Sequence, residues 1–183
     1  MNIILVGFTS SGKTVTGKAL AVALDYRFLD LDAVVEKLHT VQGGQALKCR
    51  EIYRLVGRSC FVSYEAQALT ELSVEDRIVL STGGGAPVDS NNRRLLKAMG
   101  KVVYLKTSPE VIFERMKKKG LPQYLQPDPS LSHLKQHWQG RHEIYKQLSS
   151  CKVDNSDLTV EETVDAVREC LQLDDSRITE KDA

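Results

Sequence analysis

Eight residues near the start of the chain, Gly7-Phe8-Thr9-Ser10-Ser11-Gly12-Lys13-Thr14, satisfy the pattern GxxxxGK[ST] at every fixed position. The chemistry of such a run is phosphate binding. Its glycines let the backbone wrap closely around phosphate oxygens, with successive N–H groups pointing inward. A helix that starts at its end adds partial positive charge. Lys13 is placed to reach the β- and γ-phosphates, and the Thr14 hydroxyl to ligate Mg²⁺. The expected ATP contacts are Ser10, Ser11, Gly12, Lys13, Thr14 and Val15. The motif specifies a nucleoside triphosphate as donor and is silent about the acceptor.

Two carboxylates follow. Asp30 and Asp32 close a strand-like run, and residues two apart on a strand share a face. In an open parallel sheet, ligands bind beyond the C-terminal strand ends. Both carboxylates are therefore expected near the γ-phosphate. One would hold Mg²⁺ through water, and the other would accept a hydrogen bond from an attacking hydroxyl. Gly83-Gly84-Gly85 ends a second apolar run, so it belongs to the same rim and offers bare N–H groups to an anion or carboxylate. His133 and His137 stand one helical turn apart, but no HExxH pattern and no third Cys/His ligand accompanies them, so they read as a helix face.

These residues need a scaffold. Residues 2–6, NIILV, are continuously apolar, as a strand buried on both faces of a parallel sheet requires. Apolar and small residues recur at helical spacing over 14–24. Further strand-like runs at 26–31, 77–80, 101–105 and 152–154 alternate with helical patterns at 33–38, 50–72, 91–99, 133–148 and 159–173. Ser108 and Pro109 read as the N-cap and first residue of another helix, and Gly43 and Gly44 mark a loop. The alternation implies a three-layer α/β domain with a mainly parallel sheet. Residues 120–132, with three prolines, form the longest turn-rich stretch and follow Arg115, Lys117, Lys118 and Lys119.

Composition narrows the class. At 183 residues, surface scaling buries about 70% of the unfolded surface, enough for one complete core without disulfide or metal staples. Lys plus Arg number 25 and Asp plus Glu 24, so the net charge is +1. That balance does not imply a general polyanion-binding surface, though it leaves room for local basic clusters, and no nucleic-acid partner is expected. No apolar run reaches the ~18 residues of a membrane span, and the N-terminal run lacks the basic region of a signal peptide. The four cysteines, Cys49, Cys60, Cys151 and Cys170, form no CxxC pair. They are expected as reduced, mostly buried thiols of a cytoplasmic protein.

In order and approximate spacing, GFTSSGKT at 7–14, FLDLD from Phe28 to Asp32, STGGGA from Ser81 to Ala86 and RHEIY from Arg141 to Tyr145 resemble the shikimate kinase family. Residues 152–162, KVDNSDLTVEE, resemble that family's closing strand, adenine loop and helix. The resemblance covers about residues 1–173 as a single domain. It implies a three-layer P-loop fold like that of the nucleoside monophosphate kinases. Such a fold has a five-stranded parallel sheet, a substrate-binding helical region and a mobile lid, here at about 115–132, with a flexible tail at 174–183. By resemblance, Lys13 and Thr14 serve ATP and Mg²⁺, and Asp30 is the acidic residue near the metal. Asp32 is the aspartate that binds the acceptor hydroxyls and acts as base, and Gly83, Gly84 and Arg141 bind the acceptor's carboxylate side. A guanidinium suits that task because it grips a carboxylate bidentately.

The chain departs from the family in three places. The family carries an arginine directly after the phenylalanine matching Phe61, and here Val62 stands there. Arg58, four residues earlier and one helical turn away, is expected to reach the same anion. The lid arginine before a Pro-Leu-Leu run is replaced by Leu121, with Lys117, Lys118 and Lys119 as the expected source of lid charge. The segment before Ile52 is about six residues longer than usual. The reading is a monomeric cytoplasmic kinase of aromatic amino acid biosynthesis, moving the γ-phosphate of ATP to a hydroxyl of shikimate to give shikimate 3-phosphate. The alternatives are a related P-loop kinase with another small acceptor, and a weakly active nucleotide-binding regulatory module.

Overall fold

The structure is a computed structural model and describes residues 1–122, 125 and 129–173. Among the described residues five strands carry the fold: β1 (Asn2–Val6), β2 (Arg27–Asp30), β3 (Ile78–Ser81), β4 (Gly100–Lys106) and β5 (Cys151–Asp154). They form one sheet in the order β2-β3-β1-β4-β5, and every pairing is parallel. All five C-terminal ends therefore open onto one rim. The connection after β1 runs toward β2 on one side and the connection after its neighbour β4 runs toward β5 on the other, so the switch point where such sheets bind ligands lies beside the end of β1.

Among the described residues seven α-helices cover the sheet: α1 (Lys13–Leu24), α2 (Leu31–Val41), α3 (Cys49–Leu72), α4 (Ser90–Met99), α5 (Pro109–Lys119), α6 (Leu131–Leu148) and α7 (Val160–Cys170). The continuous apolar run of β1 is explained by burial on both faces. Ile3 and Leu5 pack with Leu20, Ala21, Val164 and Val167 from α1 and α7. Ile4 and Val6 pack on the other side with Val35, Leu69, Leu96 and Tyr145 from α2, α3, α4 and α6. Two helix starts carry clear caps, the first of them as expected. Ser108 Oγ accepts from the Val111 N–H with Pro109 at the first position, and Thr159 and Glu162 cap α7 reciprocally.

Three expectations need correction or qualification. Asp32 does not share a strand with Asp30. The strand stops at Asp30, which caps α2, so Asp32 lies in the first helical turn. The cysteines are not all reduced and buried. Cys151 and Cys170 are joined in a disulfide, Cys60 is exposed and Cys49 is half-buried. The bridge forms because α7 packs back along β5, bringing the first residue of the strand and the last of the helix to a Cα–Cα distance of 6.0 Å. Finally, the expected lid at 115–132 falls partly outside the described residues, and the expected tail at 174–183 falls wholly outside them.

Candidate active site

The loop between β1 and α1 is pinned from the neighbouring strand ends. The Ser11 carbonyl accepts from Asn155 Nδ2 at 2.9 Å and from Thr107 Oγ1 at 3.3 Å. Asn155 follows β5 and Thr107 follows β4, so the sheet itself holds the loop's shape. Lys13 is buried, and its ammonium donates to the carbonyls of Gly7 at 3.0 Å and Phe8 at 2.8 Å. Burial lowers its pKa to about 8, against the pull of Asp32 and Asp30, so it is charged at neutral pH. A cavity of about 390 Å³ opens beside it. Ser10, Gly12, Lys13, Thr14 and Val15 line one wall and Arg115 another. Ser11 lies beneath the surface, fully buried.

Asp30 joins the loop to the acceptor side. Its Oδ2 accepts from the Thr14 hydroxyl at 3.2 Å, and its Oδ1 accepts from the Asp32 N–H at 3.1 Å. A hydroxyl and a carboxylate in contact are hard oxygen donors of the kind Mg²⁺ takes. Among the described residues there is no group of three or more His, Cys, Asp or Glu that could hold a metal. That fits Mg²⁺ as well, because the ion fills most of its positions with phosphate oxygens and water. Asp32 is half-buried. Burial, then the neighbouring Asp30, raises its pKa to about 6, while Lys13 opposes the shift.

The glycine run closes tightly on these groups. A Cβ on Gly83 would lie 2.5 Å from Asp32 Oδ1, and one on Gly84 would lie 2.9 Å from Thr9 Oγ1 and 3.6 Å from Arg141 Nη1. The Gly84 carbonyl accepts from Tyr145 Oη at 2.6 Å. Arg141 lies between two anchors of α6. Trp138 donates from Nε1 to the Thr107 carbonyl at 2.9 Å, and Tyr145 is fully buried against Tyr104. The guanidinium of Arg141 stands 5.1 Å from the centroid of the Phe8 ring.

A second cavity, of about 620 Å³, begins at Gly85 and is lined by Arg58, Val62, Glu65, His137 and Arg141 among others. Gly57, at φ 75° and ψ 174°, breaks α3, so Arg58 opens its second segment with Val62 one turn on. Arg58 is exposed at the cavity wall. His137 Nε2 lies 3.2 Å from His133 Nε2. The structure thus brings Lys13, Thr14, Asp30 and Asp32 together at the rim, Asp32 against Gly83, Gly84 against Arg141, and Arg58 and Arg141 onto one cavity.

Three residues here escape sequence reasoning. Glu65 is 5% exposed and accepts from Asn92 Nδ2 at 3.1 Å. Its spacing of seven from Arg58 and three from Val62 was the available signal, since these positions share a helix face. Asn155 sits directly after a strand end, where polar residues meet ligands. Arg115 donates from Nη1 to the Ser10 carbonyl at 3.3 Å, so the cation beside the loop comes from α5 two residues ahead of the lysine run. Lys117 instead pairs with Glu114 at 2.6 Å and sits over the Phe113 ring.

A loop built for a triphosphate, with a perturbed carboxylate between it and a separate cavity, supplies both halves of a phosphoryl transfer. Fold and site together are those of a P-loop small-molecule kinase. The shikimate kinase profile matches residues 9–172. The chain is 36% identical over 165 residues to a shikimate kinase of Alkaliphilus oremlandii, covering 89% of this chain and 94% of that protein. It is 34% identical over 154 residues to one of Neisseria gonorrhoeae, covering 84% and 87%. A shikimate kinase from Acinetobacter baumannii, solved in complex with shikimate, superposes with a TM-score of 0.82 at 27% identity, over 96% of this chain and 95% of that one. The chain belongs to the shikimate kinase family.

Proposed function

We propose that the protein transfers the γ-phosphate of ATP to a hydroxyl of shikimate, giving shikimate 3-phosphate for aromatic amino acid biosynthesis. The observation that carries this reading is the pair of arginines, Arg58 and Arg141, on a cavity that begins at Gly85, two residues after the glycine that meets Asp32. Two guanidiniums suit an acceptor with a carboxylate. Gly83 and Gly84 bring backbone close to its ring, and Asp32 accepts the proton of the attacking hydroxyl. A base works best with a pKa near the operating pH, and the raised value of Asp32 moves it that way while leaving it mostly ionised at neutral pH.

On the donor side, Ser10, Ser11, Gly12, Lys13, Thr14 and Val15 bind ATP. Lys13 leaves its loop carbonyls for the β- and γ-phosphates and neutralises charge that develops there. Thr14 and Asp30 would hold Mg²⁺, which supplies Lewis-acid stabilisation of the phosphate oxygens when bound. Residues 1–173 act as one kinase domain. We read the enzyme as monomeric and cytoplasmic. The near-neutral charge supports the absence of a nucleic-acid partner, and no helix among the described residues is long and apolar enough to cross a membrane.

Val62 on the cavity wall favours, as second reading, a different small carboxylated polyol. An ADP-release assay over shikimate, quinate, gluconate and nucleoside monophosphates separates the two. Turnover confined to shikimate is the expected result. Turnover on another member alone would replace the acceptor, and tight ATP binding without any turnover would overturn the kinase reading.

A further inference from the structure

Glu65 is a carboxyl group inside the acceptor cavity without a counter-charge. It is almost fully buried, its hydrogen bond comes from the neutral amide of Asn92, and among the described residues no cation is paired with it. The groups around it come from every adjoining element. Asp32 from α2 and Asp89 ahead of α4 both disfavour its charge. From α6 the cavity receives Arg141 and His137, whose pKa is lowered by burial and then by His133 and Arg141. From α3 it receives Arg58 and, one turn before Glu65, Val62. A cation at position 62 would neighbour Glu65 on the same helix face, and valine cannot serve.

An anionic acceptor makes this worse for an ionised Glu65. Its carboxylate occupies Arg58 and Arg141, adds negative charge and displaces the remaining water. An unpaired charge in such a place neutralises instead. We propose that Glu65 binds the acceptor as a neutral carboxylic acid, donating its O–H to the acceptor, so that the acceptor anion and one proton enter the cavity together. The proton comes from solvent or buffer acid, adds to the Glu65 carboxylate and breaks no other bond in the protein. Burial, then Asp32, already holds the group at about 7 without acceptor, the Asn92 hydrogen bond notwithstanding. The inference rests on the shikimate reading above.

The test is the pH dependence of kcat/KM for shikimate, with ATP saturating. The wild type should lose about tenfold per pH unit above about 7, through KM. Glu65→Gln keeps an oxygen for Asn92 and presents N–H to the acceptor, so its KM should be flat across that range. Val62→Arg should flatten it as well, by pairing Glu65 and taking the proton out of the binding step. Calorimetry of shikimate binding to the wild-type protein at pH 8, in buffers of different ionisation enthalpy, should show uptake of about 0.9 proton. A wild-type KM indifferent to pH, a Glu65→Gln variant with an unchanged alkaline loss, or binding without proton uptake would each overturn the proposal. Absence of shikimate binding and turnover at every pH would overturn the acceptor reading itself, and this inference with it.

Discussion

The carboxylate of Asp32 occupies the space that a side chain at Gly83 would need, with Oδ1 2.5 Å from where a Cβ would stand. The glycine after β3 therefore fixes the position of the carboxylate in the first turn of α2. Gly83→Ala should push Asp32 off line without touching the phosphate loop. Displacement of a catalytic group by about 1 Å can cost roughly a hundredfold, and overpacking costs about 1–3 kcal/mol of stability. Steady-state kinetics should show that loss in kcat, with KM for ATP unchanged.

Asp32→Asn keeps the shape and removes the basicity. The expected outcome is a fall in kcat of about 10²–10⁴, with ATP binding preserved, because Asp32 meets the nucleotide site only through Asp30 and Lys13. A variant that loses ATP affinity and keeps kcat would show that the two aspartates have exchanged roles.

Arg58→Ala removes one of the two cavity guanidiniums. A charge-assisted hydrogen bond contributes roughly 1.5–3 kcal/mol, or about ten- to a hundredfold in affinity. KM for shikimate should rise by that factor and KM for ATP should not move. An unchanged KM would place the acceptor's carboxylate on Arg141 alone.

Glu65 makes the stability of the ligand-free protein depend on pH. Its folded pKa, about 7, exceeds the ordinary value of 4.5. Between those values the unfolded chain has released a proton that the folded chain retains. Stability therefore declines as pH rises through this window. Glu65→Gln removes that decline, so its denaturation free energy relative to wild type should gain about 2–3 kcal/mol between pH 5 and pH 8. Urea titrations at the two pH values measure it.

The Cys151–Cys170 bridge closes a loop with a sequence separation of 19. Loop-closure entropy assigns such a bridge about 3 kcal/mol. Cys170→Ser, or reduction of the wild type, should lower stability by about that amount. Thiol titration of the denatured, unreduced protein should find two free thiols, Cys49 and Cys60, and finding four would show the bridge to be absent from the isolated protein.

The donor half of the site is legible in the sequence because phosphate wrapping demands particular residues at fixed spacing, and Gly12, Lys13 and Thr14 meet that demand locally. The sheet is legible for a similar reason, since NIILV can be buried on both faces in few other ways. The Asp30–Asp32 pair was recognisable for a partly mistaken reason. The two residues are close because Asp30 caps the helix whose first turn holds Asp32, and a cap needs the tertiary context that ends the strand. The proposed acceptor half draws on α3, α6 and the glycine run, so no short motif contains it. Glu65 reads as an ordinary helical glutamate until Asn92, from α4, seals it from water. The disulfide is invisible for the same reason, because its spacing follows from how α7 lies along β5.

Trp138 is the chain's single tryptophan, and it stands three residues before Arg141 on the same helix. Its ring stacks on the His142 imidazole at 4.5 Å with 9° between planes, and its N–H is held by the backbone after β4. The molecule thus carries one built-in optical label, placed where α6 meets the sheet. On the proposed role of Arg141, a shift of that helix on acceptor binding would alter the indole's stacking and its hydrogen bond together, so emission from the unlabelled protein should report acceptor capture directly.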